Sequence, residues 1–166
     1  WKTQGTLDNL QIYMVGDLKY GRTVHSLLMA MRHFNPTFHF IAPDELAMPE
    51  YYKQYCKDHN INYVEHKDFD ANTIAGADIL YMTRVQRERF FNEADYIRLK
   101  DTYILNDDKL RNAKQDLCIM HPLPRVNEIS VAVDDDPRAC YFKQVLNGKY
   151  MRMALILKLL KEAGIL

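Results

Sequence analysis

Short apolar runs alternate along the chain with stretches whose apolar residues recur every three or four positions, the pattern of strands interleaved with amphipathic helices. After a polar opening (TQGTLDN), residues 10–15 (LQIYMV) are nearly continuous in apolar character, as a strand covered on both faces requires. Val24, Leu27, Leu28 and Met31 follow at helical spacing, and Asn35-Pro36 marks the end of that helix. Residues 38–42 predict a second strand. A helix opening near Pro49 runs through Tyr51, Tyr55 and Cys56 to Asn60. Residues 62–65 are a third, shorter strand, and a weak helix over 70–76 leads into a fourth at 79–82. Residues 83–92 (TRVQRERFFN) are polar and basic without a clear period, and a helix is predicted from Glu93. Asn106 suits the cap of a short helix through Leu110. Residues 116–120 predict a fifth strand, stopped by His121-Pro122-Leu123-Pro124, and residues 139–162 read as helix with an interruption near Asn147-Gly148. The expected architecture is α/β: an open, mostly parallel five-stranded sheet with helices on both faces, a Rossmann-like three-layer arrangement.

Composition narrows the function classes. A chain of 166 residues, 48% hydrophobic, suits one domain that buries roughly 70% of its unfolded surface. Twenty-two Lys plus Arg balance 22 Asp plus Glu, which argues against a nucleic-acid partner held by bulk positive charge. No apolar run approaches the ~18 residues that span a bilayer, and no signal-peptide pattern opens the chain. No membrane partner is expected. Cys56, Cys118 and Cys140 are odd in number, far apart and form no CxxC, so neither a disulfide framework nor a metal site is implied. A reducing, cytoplasmic setting and no cofactor are the expectation. The first residue is Trp1, not Met, which fits an excised or processed piece.

In open α/β sheets ligands bind beyond the carboxyl ends of the strands. Three of the five predicted ends carry arginine with hydrogen-bonding groups: GDLKYGRT after the first strand, TRVQRER after the fourth and HPLPR after the fifth. Converging, they would form a cationic pocket for a small dianion, since a guanidinium meets a carboxylate in two parallel hydrogen bonds. Residues 16–23 also spell G-x-x-x-x-G-R-T, one residue from a phosphate-binding loop. The mismatch falls on the lysine that must reach the terminal phosphates, the loop interior is bulky, and the fourth strand runs into Thr83 where a magnesium-holding Asp is wanted. Nucleotide binding therefore ranks last. Arg22 at a helix start opposes the helix dipole, which favours a role beyond solvation. Arg87 reads as a solvated charge and His25 as a packed histidine. His33, His39, His59 and His66 read as incidental, and Asp134-Asp135-Asp136 as a solvated turn.

Taken together, MVGDLKYGRTVHSL (14–27), YMTRVQRERF (81–90), HPLPRVNEI (121–129) and YFKQVLNGKYMRMALILKLL (141–160) resemble the aspartate-binding domain of aspartate carbamoyltransferase catalytic chains, in order and over nearly the whole chain. Ornithine-specific relatives typically carry cysteine where Pro122 stands, and an S-M-G type signature where Arg84 and Gln86 stand. The resemblance implies that Arg22 holds one carboxylate of L-aspartate and Arg84, with Gln86, the other. It further implies that carbonyls of Pro122 and Leu123 orient the amine and the carbamoyl group, and that Arg89 pairs with another domain on closure of a mobile loop near 85–101. The implied reaction joins carbamoyl phosphate and L-aspartate to N-carbamoyl-L-aspartate and phosphate, in pyrimidine biosynthesis. The family's N-terminal carbamoyl-phosphate domain, with its S-T-R-T-R type loop, has no counterpart: the only serines, Ser26 and Ser130, are not followed by Thr-Arg. No catalytic residue is expected within this chain alone, and isolated turnover is not expected. The parent would be a homotrimer, with regulatory chains in some assemblies. The alternative is a stand-alone dicarboxylate-binding or interaction module. Residues 151–160 (MRMALILKLL) are apolar on more faces than a surface helix needs, which predicts dimers or an alternative packing of this helix in the isolated chain.

Overall fold

Five strands form a single sheet in the computed structural model, which describes residues 3–84, 93–99 and 103–165. They are β1 (Gln11–Val15), β2 (Thr37–Ile41), β3 (Asn62–His66), β4 (Ile79–Met82) and β5 (Cys118–Met120), ordered β3-β2-β1-β4-β5. Every neighbouring pair is parallel, with Ile12 opposite Phe38 on one side and Ile79 on the other. The helices are α1 (Arg22–Met31), α2 (Glu50–Asp58), α3 (Glu93–Leu99), α4 (Asp107–Leu110) and α5 (Tyr141–Glu162).

The continuous apolar character of residues 10–15 has its cause in this layering. Side chains alternate across a strand, so Ile12 and Met14 join Phe38, Phe40 and Tyr81 under Val24 and Leu28 of α1 and Cys56 of α2. Tyr13 and Val15 join Ile41, Leu80, Met82 and Ile119 on the opposite face. That second face is covered by Phe69, Ile74, Tyr103, Leu105, Leu110 of α4, Val133 and Tyr141 at the start of α5. Much of this cover comes from turns and a 3₁₀ segment (Val131–Asp135) whose pattern is not periodic.

Helix boundaries follow local chemistry. Asn35, with φ at +46°, ends the 3₁₀ turn that extends α1. The Asn106 side chain accepts the Lys109 N–H at 3.2 Å, as its capping role requires.

Two expectations fail. Residues 71–76 form turns, not a helix. Asp70 Oδ1 accepts the N–H groups of Asn72 and Thr73, at 2.9 and 2.8 Å, diverting the backbone into an Asx turn. Conversely, α5 runs unbroken through Asn147-Gly148. A Cβ added at Gly148 would meet nothing within 4 Å, and one exposed glycine costs about 1 kcal/mol, too little to divide a cooperative 22-residue helix. Among the described residues no helix is long and apolar enough to cross a membrane.

Candidate anion-binding cleft

The strand order reverses direction at β1: the chain winds outward to β2 and β3, then returns to the far side of β1 as β4 and β5. Crevices form at such a switch point, beyond the carboxyl ends of the central strands. The exits of β1, β4 and β5 meet there around a cleft of about 230 Å³, lined by Asp17, Tyr20, Gly21, Arg22, Thr23, Thr83, Arg84 and residues 121–124.

The β1 exit is clamped to β4. Gly16 sits at φ +109°, and a Cβ built there would lie 2.5 Å from the Thr83 carbonyl oxygen, so glycine is required both by conformation and by space. Its N–H donates to the Ile41 carbonyl at 3.0 Å, while Thr83 donates both its N–H and its hydroxyl to the Val15 carbonyl, each at 2.9 Å. Asp17 is buried and accepts the Tyr20 N–H at 2.9 Å, bending the loop toward α1. A Cβ at Gly21 would lie 2.5 Å from the Asp17 carbonyl, so this turn also needs a bare backbone. α1 then opens at Arg22 with no side-chain cap and no acidic residue in its first turn. Its positive end is therefore offered to the cleft, as at helix-terminal anion sites. Arg22 is exposed, and Arg84 is half-buried one residue beyond Thr83. Two guanidinium groups and a helix N-terminus face one carboxylate in the lining, a balance that favours an anion.

The β5 exit is held by a buried dyad. His121 Nδ1 accepts the Leu123 N–H at 2.8 Å, which leaves the ring proton on Nε2, and Nε2 donates it to Glu128 Oε1 at 2.7 Å. Glu128 Oε2 accepts the N–H groups of Val126 and Asn127 at 3.0 and 3.1 Å. Burial alone would raise the Glu128 carboxyl, but these hydrogen bonds outweigh it and hold it below the usual carboxylate range. The result is a fixed turn in which Leu123 adopts φ +47°, a conformation an L-residue adopts only when its surroundings impose it. The His121 N–H donates to Gln144 Oε1 of α5 at 3.0 Å, anchoring the same turn from the other side.

The match to known proteins decides the family. Residues 8–159 match the model of the aspartate/ornithine carbamoyltransferase Asp/Orn binding domain. The chain belongs to this family. It is 67% identical over 156 residues to an aspartate carbamoyltransferase catalytic subunit of Bacteroides fragilis, covering 94% of this chain and 51% of that one. The corresponding protein of Clostridium acetobutylicum is 60% identical over 161 residues, covering 96% of this chain and 52% of that one. Among solved structures, the catalytic subunit of M. jannaschii aspartate transcarbamoylase superposes with a TM-score of 0.88 at 40% identity, covering 97% of this chain and 53% of that one. The Trypanosoma cruzi aspartate transcarbamoylase in complex with carbamoyl phosphate and aspartate superposes with a TM-score of 0.84 at 35% identity, covering 93% and 51%. The chain thus spans about half the length of the curated relatives it matches.

Within this Asp/Orn-binding domain the cleft brings together four of the residues singled out from sequence: Arg22, Arg84, Pro122 and Leu123. Gln86, Arg89 and the segment 85–92 lie outside the described residues, and α3 occupies part of the region where a closing loop is expected. The third strand-end arginine does not join the cleft. Arg125 forms a two-pronged ion pair with Asp134 and donates to the Tyr141 hydroxyl at 3.2 Å, so its charge is neutralised beneath the site. Of Asp134-Asp135-Asp136 only Asp135 is exposed; the other two are ion-paired. Arg125 and the Tyr141 hydroxyl hold the Asp134 carboxyl low, and Arg138 pairs with Asp136 at 2.7 Å. His25 is packed as expected: its Nε2 lies 2.8 Å from the Leu18 carbonyl and its ring stacks on Tyr52 at 4.0 Å. His39 and His66 are less incidental than the sequence reading holds, being paired at 2.9 Å with Tyr13 stacked on His39 at 3.9 Å. Asp17, Thr83 and Glu128 shape the cleft without standing out in the sequence. The histidine and glutamate that bracket the proline-rich turn were visible as letters, but only the fold buries them against each other. Among the described residues no three His, Cys, Asp or Glu side chains are placed to hold a metal ion.

Proposed function

We propose that this chain is the L-aspartate-binding part of an aspartate carbamoyltransferase, acting with a carbamoyl-phosphate domain supplied by a longer parent chain. The observation that carries the reading is the convergence of Arg22, Arg84 and the turn at Pro122-Leu123 on one cleft at the α1 N-terminus. Arg22 and Arg84 take the two carboxylates of aspartate, with Gln86 assisting Arg84. The carbonyls of Pro122 and Leu123 accept from the amine and align its lone pair with the carbamoyl carbon. The amine attacks that carbon, phosphate leaves, and the nitrogen loses a proton to give N-carbamoyl-L-aspartate. Positioning and charge stabilisation supply the rate, because no covalent intermediate with the protein is needed. Arg89 pairs with the other domain on closure. Pyrimidine synthesis is the pathway this product enters, and the parent assembles as a homotrimer.

The test is carbamoyl-aspartate formation by this chain alone and mixed with a separately prepared carbamoyl-phosphate domain, beside succinate binding by calorimetry. Activity is expected only in the mixture. Arg84→Ala should weaken succinate binding by roughly ten- to a hundred-fold, the worth of one charge-assisted contact. Succinate binding that is insensitive to both Arg84→Ala and Arg22→Ala would sink the assignment of the cleft. Succinate binding with silence in every mixture would favour a dicarboxylate-binding module without catalysis.

A further inference from the structure

Two of the three cysteines, 22 positions apart in sequence, are brought together by the fold where β5 meets the root of α5. Ile119 pairs with Ala139 in an isolated parallel bridge, its N–H donating to the Arg138 carbonyl and its own carbonyl accepting the Cys140 N–H, both at 2.9 Å. This register puts Cys118 and Cys140 on the same side of the bridge. Cys140 lies near enough to Cys118 to act on its thiol. Both cysteines line one cavity of about 670 Å³, together with Met120, Ile79 and Lys143.

The two thiols differ in a way that assigns them separate roles. Cys140 is partly accessible and is the N-cap of the 22-residue α5, where no side-chain hydrogen bond caps the helix. Its accessibility, beside Lys143 in the same cavity, leaves it open to a dissolved oxidant. Cys118 is buried, and burial first, then the neighbouring Cys140, pushes its thiol up to about 12. Cys118 therefore rests as a protonated thiol. Cys56, the third cysteine, is sealed between the sheet and α2 with its thiol pushed up to about 11 by burial.

We propose that Cys140 and Cys118 are a redox-sensitive dithiol, with Cys140 as the attacking thiol and Cys118 as the resolving one. The oxidant is a small-molecule disulfide of the glutathione class. The Cys140 thiolate attacks one sulfur of that disulfide, forming a mixed disulfide and expelling one thiolate. Cys140 then no longer opposes ionisation of Cys118, which loses its proton, attacks the Cys140 sulfur and expels the second thiolate. Two protein thiols are oxidised, one external disulfide is reduced to two thiols, and the exchange reverses in excess thiol. The bond ties β5 to the root of α5, whose Gln144 holds the cleft turn through the His121 N–H.

The experiment equilibrates the chain with oxidised and reduced glutathione at graded ratios, quenches with acid and maps peptides without reduction. The expected product is one intramolecular peptide pair joining Cys118 to Cys140, lost on adding dithiothreitol, with Cys56 unmodified. Cys118→Ser should accumulate a glutathione adduct on Cys140, and Cys140→Ser should slow oxidation of Cys118 at least about tenfold. Circular dichroism of each variant establishes that it is folded. The proposal is overturned if folded wild-type chain keeps a Cys140–glutathione adduct without closing, if both thiols stay reduced at the most oxidising ratio, or if cross-links run between chains or to Cys56.

Discussion

The turns around the cleft and the helix that closes the chain are opposite solutions to placing side chains. At the cleft, Gly16, Asp17, Thr83, His121 and Glu128 are buried, and the polar groups described there meet donors and acceptors between 2.7 and 3.1 Å. Along α5 only Tyr141 is buried, while Met151, Leu155, Ile156 and Leu159 each keep half or more of their surface exposed. The first region is over-determined, since each group is held by several others. The second is under-determined: Met151, Leu155, Ile156 and Leu159 belong to neither core cluster. Stability should therefore be sensitive to small changes at the cleft and indifferent to large ones along α5, and polar satisfaction should matter more than hydrophobicity in predicting which substitutions hurt.

The largest effect is expected at Gly16. Alanine there combines a φ of +109° with a Cβ 2.5 Å from the Thr83 carbonyl, so Gly16→Ala should cost about 3 kcal/mol or more, read from the denaturation midpoint. A near-neutral result would mean the two strand exits are free to part, and the contrast with α5 would collapse. Next comes Glu128→Gln. The amide still accepts from His121 but turns a donor toward the Val126 and Asn127 N–H groups, for a loss of about 2 kcal/mol and weaker succinate binding through the displaced Leu123. If stability falls while succinate affinity is unchanged, the dyad supports the fold without positioning the cleft.

A smaller effect depends on pH. Burial first, then His66, lowers the His39 pKa from 6.5 to about 4. The folded chain thus keeps His39 neutral where the unfolded chain protonates it, so acid favours unfolding. This contribution is complete above 6.5 and declines as the pH falls from 6.5 to about 4. The gap in stability between wild type and His39→Gln should narrow across that window, and a constant gap would refute the assignment. The smallest effect is expected on α5: Leu155→Ala should change stability by no more than about 0.5 kcal/mol. The exposed face should instead reveal itself in association. Sedimentation at rising concentration should show dimers, reduced by replacing Leu155 and Leu159 with lysine. A monomer at all concentrations, with Leu155→Ala strongly destabilising, would show that the helix has a partner within its own chain.

Legibility in the sequence followed the same divide. Periodic burial is a local property, so the five strands, α1, α2 and the Asn106 cap could be read from spacing and composition. The turns at 71–76 could not, because the Asp70 carboxylate competes with helical hydrogen bonding there. Nor could the continuity of α5, since the cost of Gly148 is spread over a long cooperative helix. Of the arginines at strand ends, Arg22 and Arg84 line the cleft, whereas Arg125 does not, because its partner Asp134 meets it only after the chain folds back.

What the sequence determined by itself is the order of strands and helices and the residue types available at each strand end, because these depend on nearest neighbours and on period. Which ends meet was decided by tertiary structure: the reversal of strand order at β1 brings residues 16–23, 83–84 and 121–124 to one cleft. Ionic pairing was decided there too, since a charge is neutralised only by what lies within a few ångströms of it. Residues that determine the shape of the cleft, Gly16 against Thr83 and His121 against Glu128, are far apart or unremarkable in sequence, and their roles exist only as contacts.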